Sequence, residues 1–130
     1  MIVDSSALLA VVLKEPDEDR FARVMLAAPE LQISAANWVE AAIVSEGKHP
    51  SAAARFDDLA RLLNLRIVPV SEEHAFAARR AWQSFGRGNH TAQLNYGDCF
   101  AYALSREAGK PLLFKGNDFA RTDIEPALKD

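Results

Sequence analysis

Four short apolar runs, separated by stretches of helical periodicity, constrain this chain more than any other feature. Met1-Ile2-Val3, Leu31-Gln32-Ile33-Ser34, Arg66-Ile67-Val68-Pro69-Val70 and Leu112-Leu113-Phe114 are too short for helices and are flanked by acids or turn formers. They read as strands. Between them, Ala7 to Leu13 reads as a short helix capped by Ser5 and Ser6. Asp17-Glu18-Asp19 opens another, which carries Phe21, Val24, Met25 and Leu26 inward and closes at Pro29. Trp38, Val39, Ala42 and Ile43 recur at helical spacing from Ala36 to about Lys48, and Pro50-Ser51 starts a helix with Phe56, Leu59, Leu62 and Leu63 on one face. Ser71-Glu72-Glu73-His74 begins a helix that reaches Phe85, on which Trp82, like Trp38, is expected in the core. Strands alternating with helices predict an α/β fold whose parallel sheet is covered on both faces.

Gly86 to Thr91 has no periodicity and reads as a loop. It leads into Leu94-Asn95-Tyr96-Gly97-Asp98-Cys99-Phe100, where Gly97 is expected to free the backbone to turn and Asp98 to sit in the first turn of an apolar helix ended by Gly109. Thr122 to Glu125 is expected as a short edge strand. With 130 residues and no repeat or linker, the chain reads as one domain, 1–130.

The single cysteine, Cys99, excludes an internal disulfide and reads as a small buried hydrophobe. No apolar run approaches a membrane span, and Met-Ile-Val-Asp does not read as a signal peptide, so a cytoplasmic protein without membrane contact is expected. The net charge of −3 gives no bulk attraction to nucleic acid, so any such binding must come from a local basic patch.

Asp4 and Asp118 fall just beyond the first and fourth strands, where open parallel sheets place their ligands. Glu40 and Asp98 lie early in helices that can face the same edge. Each acid alone would serve as a helix cap or surface charge. Together, two carboxylates ~4 Å apart repel by about 4 kcal/mol at an effective dielectric of 20. A chain that gathers four must bind a cation or keep some protonated. All-oxygen ligands point to Mg²⁺, with Mn²⁺ as the alternative, rather than to zinc. Such an ion can activate water against a phosphodiester. Arg79, Arg80, Arg87, Lys115 and Arg121 are the bases nearest this edge, and Arg79, Arg87 and Lys115 are the candidate RNA contacts. The three histidines read as surface or loop residues.

Val3-Asp4-Ser5-Ser6-Ala7-Leu8, the mid-chain Glu40, Leu94 to Cys99 and Leu112 to Phe119 together resemble the PIN domain, and within it the VapC ribonuclease toxins of VapBC toxin–antitoxin modules. The likeness spans essentially the full length. It implies a compact three-layer α/β/α sandwich with a short, mostly parallel central sheet, a magnesium-dependent endoribonuclease, a homodimer and inhibition by a VapB antitoxin. It places Asp4, Glu40 and Asp98 on the family's metal-binding acids and Ser6 on its supporting hydroxyl. Asp118 takes the fourth acid position. Asn117 and Gly116 stand where many relatives carry a further acid.

Two other α/β functions meet missing residues. A receiver-like signalling domain has its Lys-Pro pair in Lys110-Pro111, but it needs an aspartate after the third strand, and Asp57 and Asp58 lie in a helical pattern. A haloacid-dehalogenase-type phosphatase needs an aspartate at position 6, which is Ser6.

Overall fold

The computed structural model describes residues 1–129; Asp130, the last residue of the expected domain, lies outside the described residues. Four parallel strands form the sheet: β1 (Ile2–Val3), β2 (Gln32–Ser34), β3 (Arg66–Val68) and β4 (Leu112–Leu113), in the order β3-β2-β1-β4. Six helices connect them: α1 (Ser5–Val12), α2 (Glu18–Ala27), α3 (Ala35–Lys48), α4 (Pro50–Leu62), α5 (Glu72–Phe85) and α6 (Tyr96–Ala108).

The two-residue period of a strand explains the layers. Ile2 and Leu112 point to one face, where they pack with Ala77, Ala78 and Ala81 of α5 and Ala101 and Leu104 of α6. Their neighbours Val3 and Leu113 point to the other face, with Leu8 of α1, Phe21 and Met25 of α2, and Ala52 and Phe56 of α4. Both strand pairs are fully buried, which is why they read as unbroken apolar runs. The result is the expected three-layer α/β/α sandwich.

Chain order places the site. β1, β2 and β3 step outward in one direction, and the α5–α6 crossover then carries the chain back to the far side of β1. The topological switch point therefore lies between β1 and β4, where a crevice opens beyond the carboxyl ends of the strands. Asp4 directly follows β1, and the turn from Lys115 to Asp118 follows β4.

Several local expectations change. Asp4, not Ser5 or Ser6, caps α1: its carboxylate accepts from the Ser6 N–H. Thr122 to Glu125 forms no strand. Instead, Leu112 N–H donates to Glu125 O and Ala127 N–H to Leu112 O, a single bridge that centres on Pro126. Proline has no N–H with which to extend such a ladder. Leu26, Val39, Ile43 and Leu62 lie on solvent-facing sides of their helices. Trp82 is 41% exposed, outside the core in which it was expected, whereas Trp38 packs on Phe56. Gly97 is an ordinary helical residue of α6 without positive φ, so its role is one of space. Asp57 and Asp58 lie exposed on α4, which leaves a receiver-like domain without its phospho-acceptor.

Candidate active site

Asp4, Ser6, Glu40, Asp98, Lys115 and Asp118 line one pocket of about 270 Å³, together with Ser5 and Asn95. Asp4 is held at its floor. The Ser6 hydroxyl donates to Asp4 Oδ2 at 2.5 Å, the Ser6 N–H donates to the same oxygen, and the Lys115 N–H donates to Ser6 Oγ at 2.9 Å. Ser6 thus ties the acid after β1 to the turn after β4. The other oxygen, Asp4 Oδ1, is buried without a hydrogen-bond partner among the described residues. An ionised carboxylate in that position lacks compensation. Burial pushes the Asp4 carboxyl up to about 6, opposed by the Ser6 hydrogen bonds and helped by the charge of Glu40.

Asp98 is the third residue of α6 and does two things at once. Its Oδ2 accepts from the Asn95 N–H at 3.0 Å while Asn95 Oδ1 accepts from the Asp98 N–H at 2.9 Å, a reciprocal capping box. Asp98 is thus a capping residue of α6 whose side chain also lines the acid pocket. Burial raises its carboxyl to about 7; the Asn95 hydrogen bond opposes the shift, and the charges of Asp4, Asp118 and Glu40 add to it. Those three charges reaching Asp98 show that the acids share one field.

Glu40 comes from the second turn of α3, which starts directly off β2. Ser5 Oγ donates to Glu40 Oε1 at 2.6 Å. Asn37, one turn earlier and fully buried, donates Nδ2 to Gly97 O at 2.9 Å and lies 3.4 Å from Glu40 Oε1. A Cβ on Gly97 would collide with the Glu40 carboxylate, so glycine there is what lets α3 and α6 bring their acids together. Ser5, Asn37 and Asn95 were missed as site residues in the sequence. The signal for Asn37 was its three-residue spacing from Glu40 on one helix face.

Asp118 lies exposed at the mouth of the pocket, just before a short 3₁₀ turn, Phe119–Arg121. Asn117 is exposed as well. The Lys115 ammonium contacts Glu15 at 2.8 Å and Asp17 at 3.0 Å, so its charge is already shared. Arg121 donates to Thr91 O at 2.9 Å and pins the loop before α6. The side chains of Arg79 and Arg87 stand in the wall of a neighbouring groove. Cys99 is buried, and burial pushes its thiol to about 11, so it stays protonated.

The donor set suits a hard divalent cation: carboxylates and hydroxyls, one buried oxygen without a partner, and two carboxyls raised by confinement. Among the described residues, no three Asp, Glu, His or Cys side chains lie close enough together to hold a metal ion between them.

The PIN domain family model matches residues 1–125. The chain is 42% identical over 125 residues to VapC ribonuclease Mb0640 of Mycobacterium bovis and to ribonuclease VapC30 of Mycobacterium tuberculosis, covering 95% of each chain. It is 40% identical over 130 residues to ribonuclease VapC28 of M. tuberculosis, with 98% of both chains covered. The crystal structure of M. tuberculosis VapC20, described as a sarcin–ricin loop cleaving toxin, superposes with a TM-score of 0.74 at 15% identity over 95% of both chains. A toxin–antitoxin complex from Klebsiella pneumoniae contains a chain with a TM-score of 0.69 at 18% identity, over 94% of this chain and 92% of that one. The protein belongs to the PIN domain family, among its VapC ribonucleases. Among the described residues, no helix is long and apolar enough to cross a membrane.

Proposed function

We propose that this ribonuclease is a toxin that hydrolyses RNA phosphodiester bonds with a divalent cation, Mg²⁺ or Mn²⁺, held by Asp4, Asp98, Glu40 and Asp118. The observation that carries the reading is the buried, unpartnered Asp4 Oδ1 beside the raised Asp98 carboxyl. When bound, the ion lowers the pKa of its water and offsets charge that develops on the phosphate. The chain's own groups prepare the place. Ser6 fixes one Asp4 oxygen and leaves the other without a hydrogen-bond partner among the described residues. Asn95 orients Asp98 through the capping box, and Ser5 with Asn37 orients Glu40. Asp118, at the mouth, adds negative charge where a cation enters.

The substrate is RNA with an accessible loop, since sequence-specific RNA proteins mostly read unstacked bases. A structured RNA such as transfer RNA fits this description. Arg87 and Arg79 contact its phosphates; Lys115 joins them only if it leaves Glu15 and Asp17. A cytoplasmic VapB-type antitoxin is the regulatory partner, and a basic side chain, best an arginine, is its natural plug for the acids. Exposed Val39 and Ile43 on α3 and Ile67 at the sheet edge support a homodimer.

The test is cleavage of a transfer RNA pool in chelator, in Mg²⁺ and in Mn²⁺, with the cut ends sequenced. Cleavage only with metal, at one or a few loop positions, is expected. Full activity in excess chelator overturns the reading.

A further inference from the structure

A second cavity, of about 580 Å³, lies between α5 and α6 beside the acid pocket, and Asn95 lines both. We infer that this groove is a subsite for one unstacked nucleobase of the RNA, next to the phosphate presented to the acids. The inference rests on the ribonuclease reading and adds where the substrate is gripped.

Three observations favour a nucleobase. First, the aromatic surface is open: Tyr96 is 78% exposed and Trp82 41% exposed, with Phe100 packed edge-on to Tyr96 at 4.9 Å between ring centroids. Flat aromatic faces left open in this way can stack any base. Second, the only charged groups in the groove wall are Arg79 and Arg87, whereas the neighbouring pocket holds four acids. A polyanion approaching a protein of net charge −3 needs its anchor away from those acids. Two guanidinium groups supply it and also stack on bases. Third, Asn95 spends its Oδ1 on the Asp98 N–H, and its Nδ2 has no partner among the described residues. That amide stands at the border between groove and acids, placed to donate to a base edge. A base in the groove then leaves its phosphate near the border with the acid pocket, which Asn95 also lines.

The test uses the full chain in chelator, so that nothing is cut, with two probes of equal length and charge. One is a single-stranded adenine-rich hexaribonucleotide and the other its abasic counterpart. The base-bearing probe should quench the fluorescence of Trp82 and bind at least tenfold more tightly than the abasic one. Tyr96→Ala should weaken the base-bearing probe about tenfold, as expected for loss of one stacking contact, while Tyr96→Phe should bind like wild type. Neither change should alter abasic binding or Mn²⁺ affinity. Equal binding of both probes, or Tyr96→Ala binding like wild type, overturns the subsite. So does a Tyr96→Ala protein that changes only its sedimentation or its capture of an antitoxin helix, because the groove is then a protein contact. Base-dependent binding without metal-dependent cleavage supports the subsite and strikes the ribonuclease reading. Cleavage by Tyr96→Ala at wild-type KM strikes the subsite alone.

Discussion

Asn37 and Gly97 stand 60 residues apart in the chain, and Asn37 Nδ2 donates to Gly97 O at 2.9 Å. This bond clamps α3 to the first turn of α6, so one amide, which also lies 3.4 Å from Glu40 Oε1, ties Glu40 to the helix that carries Asp98. The close approach leaves no room for a Cβ at position 97. Gly97→Ala should therefore push Glu40 out of place while α6 still forms. RNA cleavage should fall more than tenfold, with the far-ultraviolet circular dichroism unchanged. Asn37→Ala leaves polar groups uncompensated in a buried site and should cost about 1–3 kcal/mol, read by urea unfolding.

Asp98→Asn removes a charge and keeps an oxygen that can accept from the Asn95 N–H. The capping box should survive, since Asn95 Oδ1 still receives the backbone N–H of residue 98. In chelator, the variant should melt at the wild-type temperature or above, because the remaining acids lose a repelling neighbour. Added Mg²⁺ should stabilise wild type by about 2.7 kcal/mol at 100-fold excess over its dissociation constant. The variant should gain little, and its cleavage should be nearly abolished. A clear loss of stability in chelator with equal gain from Mg²⁺ would make Asp98 a cap and nothing more. Such a loss would be about 0.5–2 kcal/mol.

The raised acids set a pH dependence with a definite sign. Asp4 near 6 and Asp98 near 7 hold their protons more tightly in the folded chain than an ordinary aspartate at 3.8. Between about pH 4 and pH 7 the folded state then binds more protons than the unfolded state, so metal-free stability falls as pH rises. It is fully present below about pH 4. Metal affinity must run the other way, rising through the same window as protons leave the ligands. Melts in chelator from pH 4 to pH 8, paired with Mn²⁺ titrations, check both slopes. Stability that rises through this window would contradict the arrangement.

Arg87 and Lys115 should separate although both are basic and near the site. Arg87→Ala should raise the RNA dissociation constant several-fold and flatten its salt dependence, with Mn²⁺ affinity unchanged. Lys115→Ala releases Glu15 and Asp17 and loosens the turn whose N–H holds Ser6. Its first effect should be on Mn²⁺ affinity through Asp4. Anisotropy with labelled RNA in chelator and metal titration distinguish the two.

An antitoxin segment that plugs the acids should compete with metal. Its affinity should fall as Mn²⁺ is added, and replacing its arginine with glutamine should abolish inhibition. A complex that cleaves RNA at the free rate would refute the plug.

Periodicity determined the alternation of strands and helices, and with it the parallel sheet. Met1-Ile2-Val3 and Leu112-Leu113-Phe114 are legible as buried strands because both of their faces are covered. Asp4 and the Lys115–Asp118 turn are legible as candidates for one shared pocket because they follow strands. Tertiary structure decided the rest. No local pattern tells which apolar side of a helix meets the sheet, so Ile43 and Trp82 looked buried and are not. Gly97 read as a hinge because glycine commonly serves turns; its neighbour across the gap, Glu40, is invisible along the chain. Lys115 reads as a free base along the chain, and only the fold brings Glu15 and Asp17 to it. Sequence carries what depends on neighbours three or four residues away, whereas partners 60 to 100 residues distant exist only once the sheet has closed.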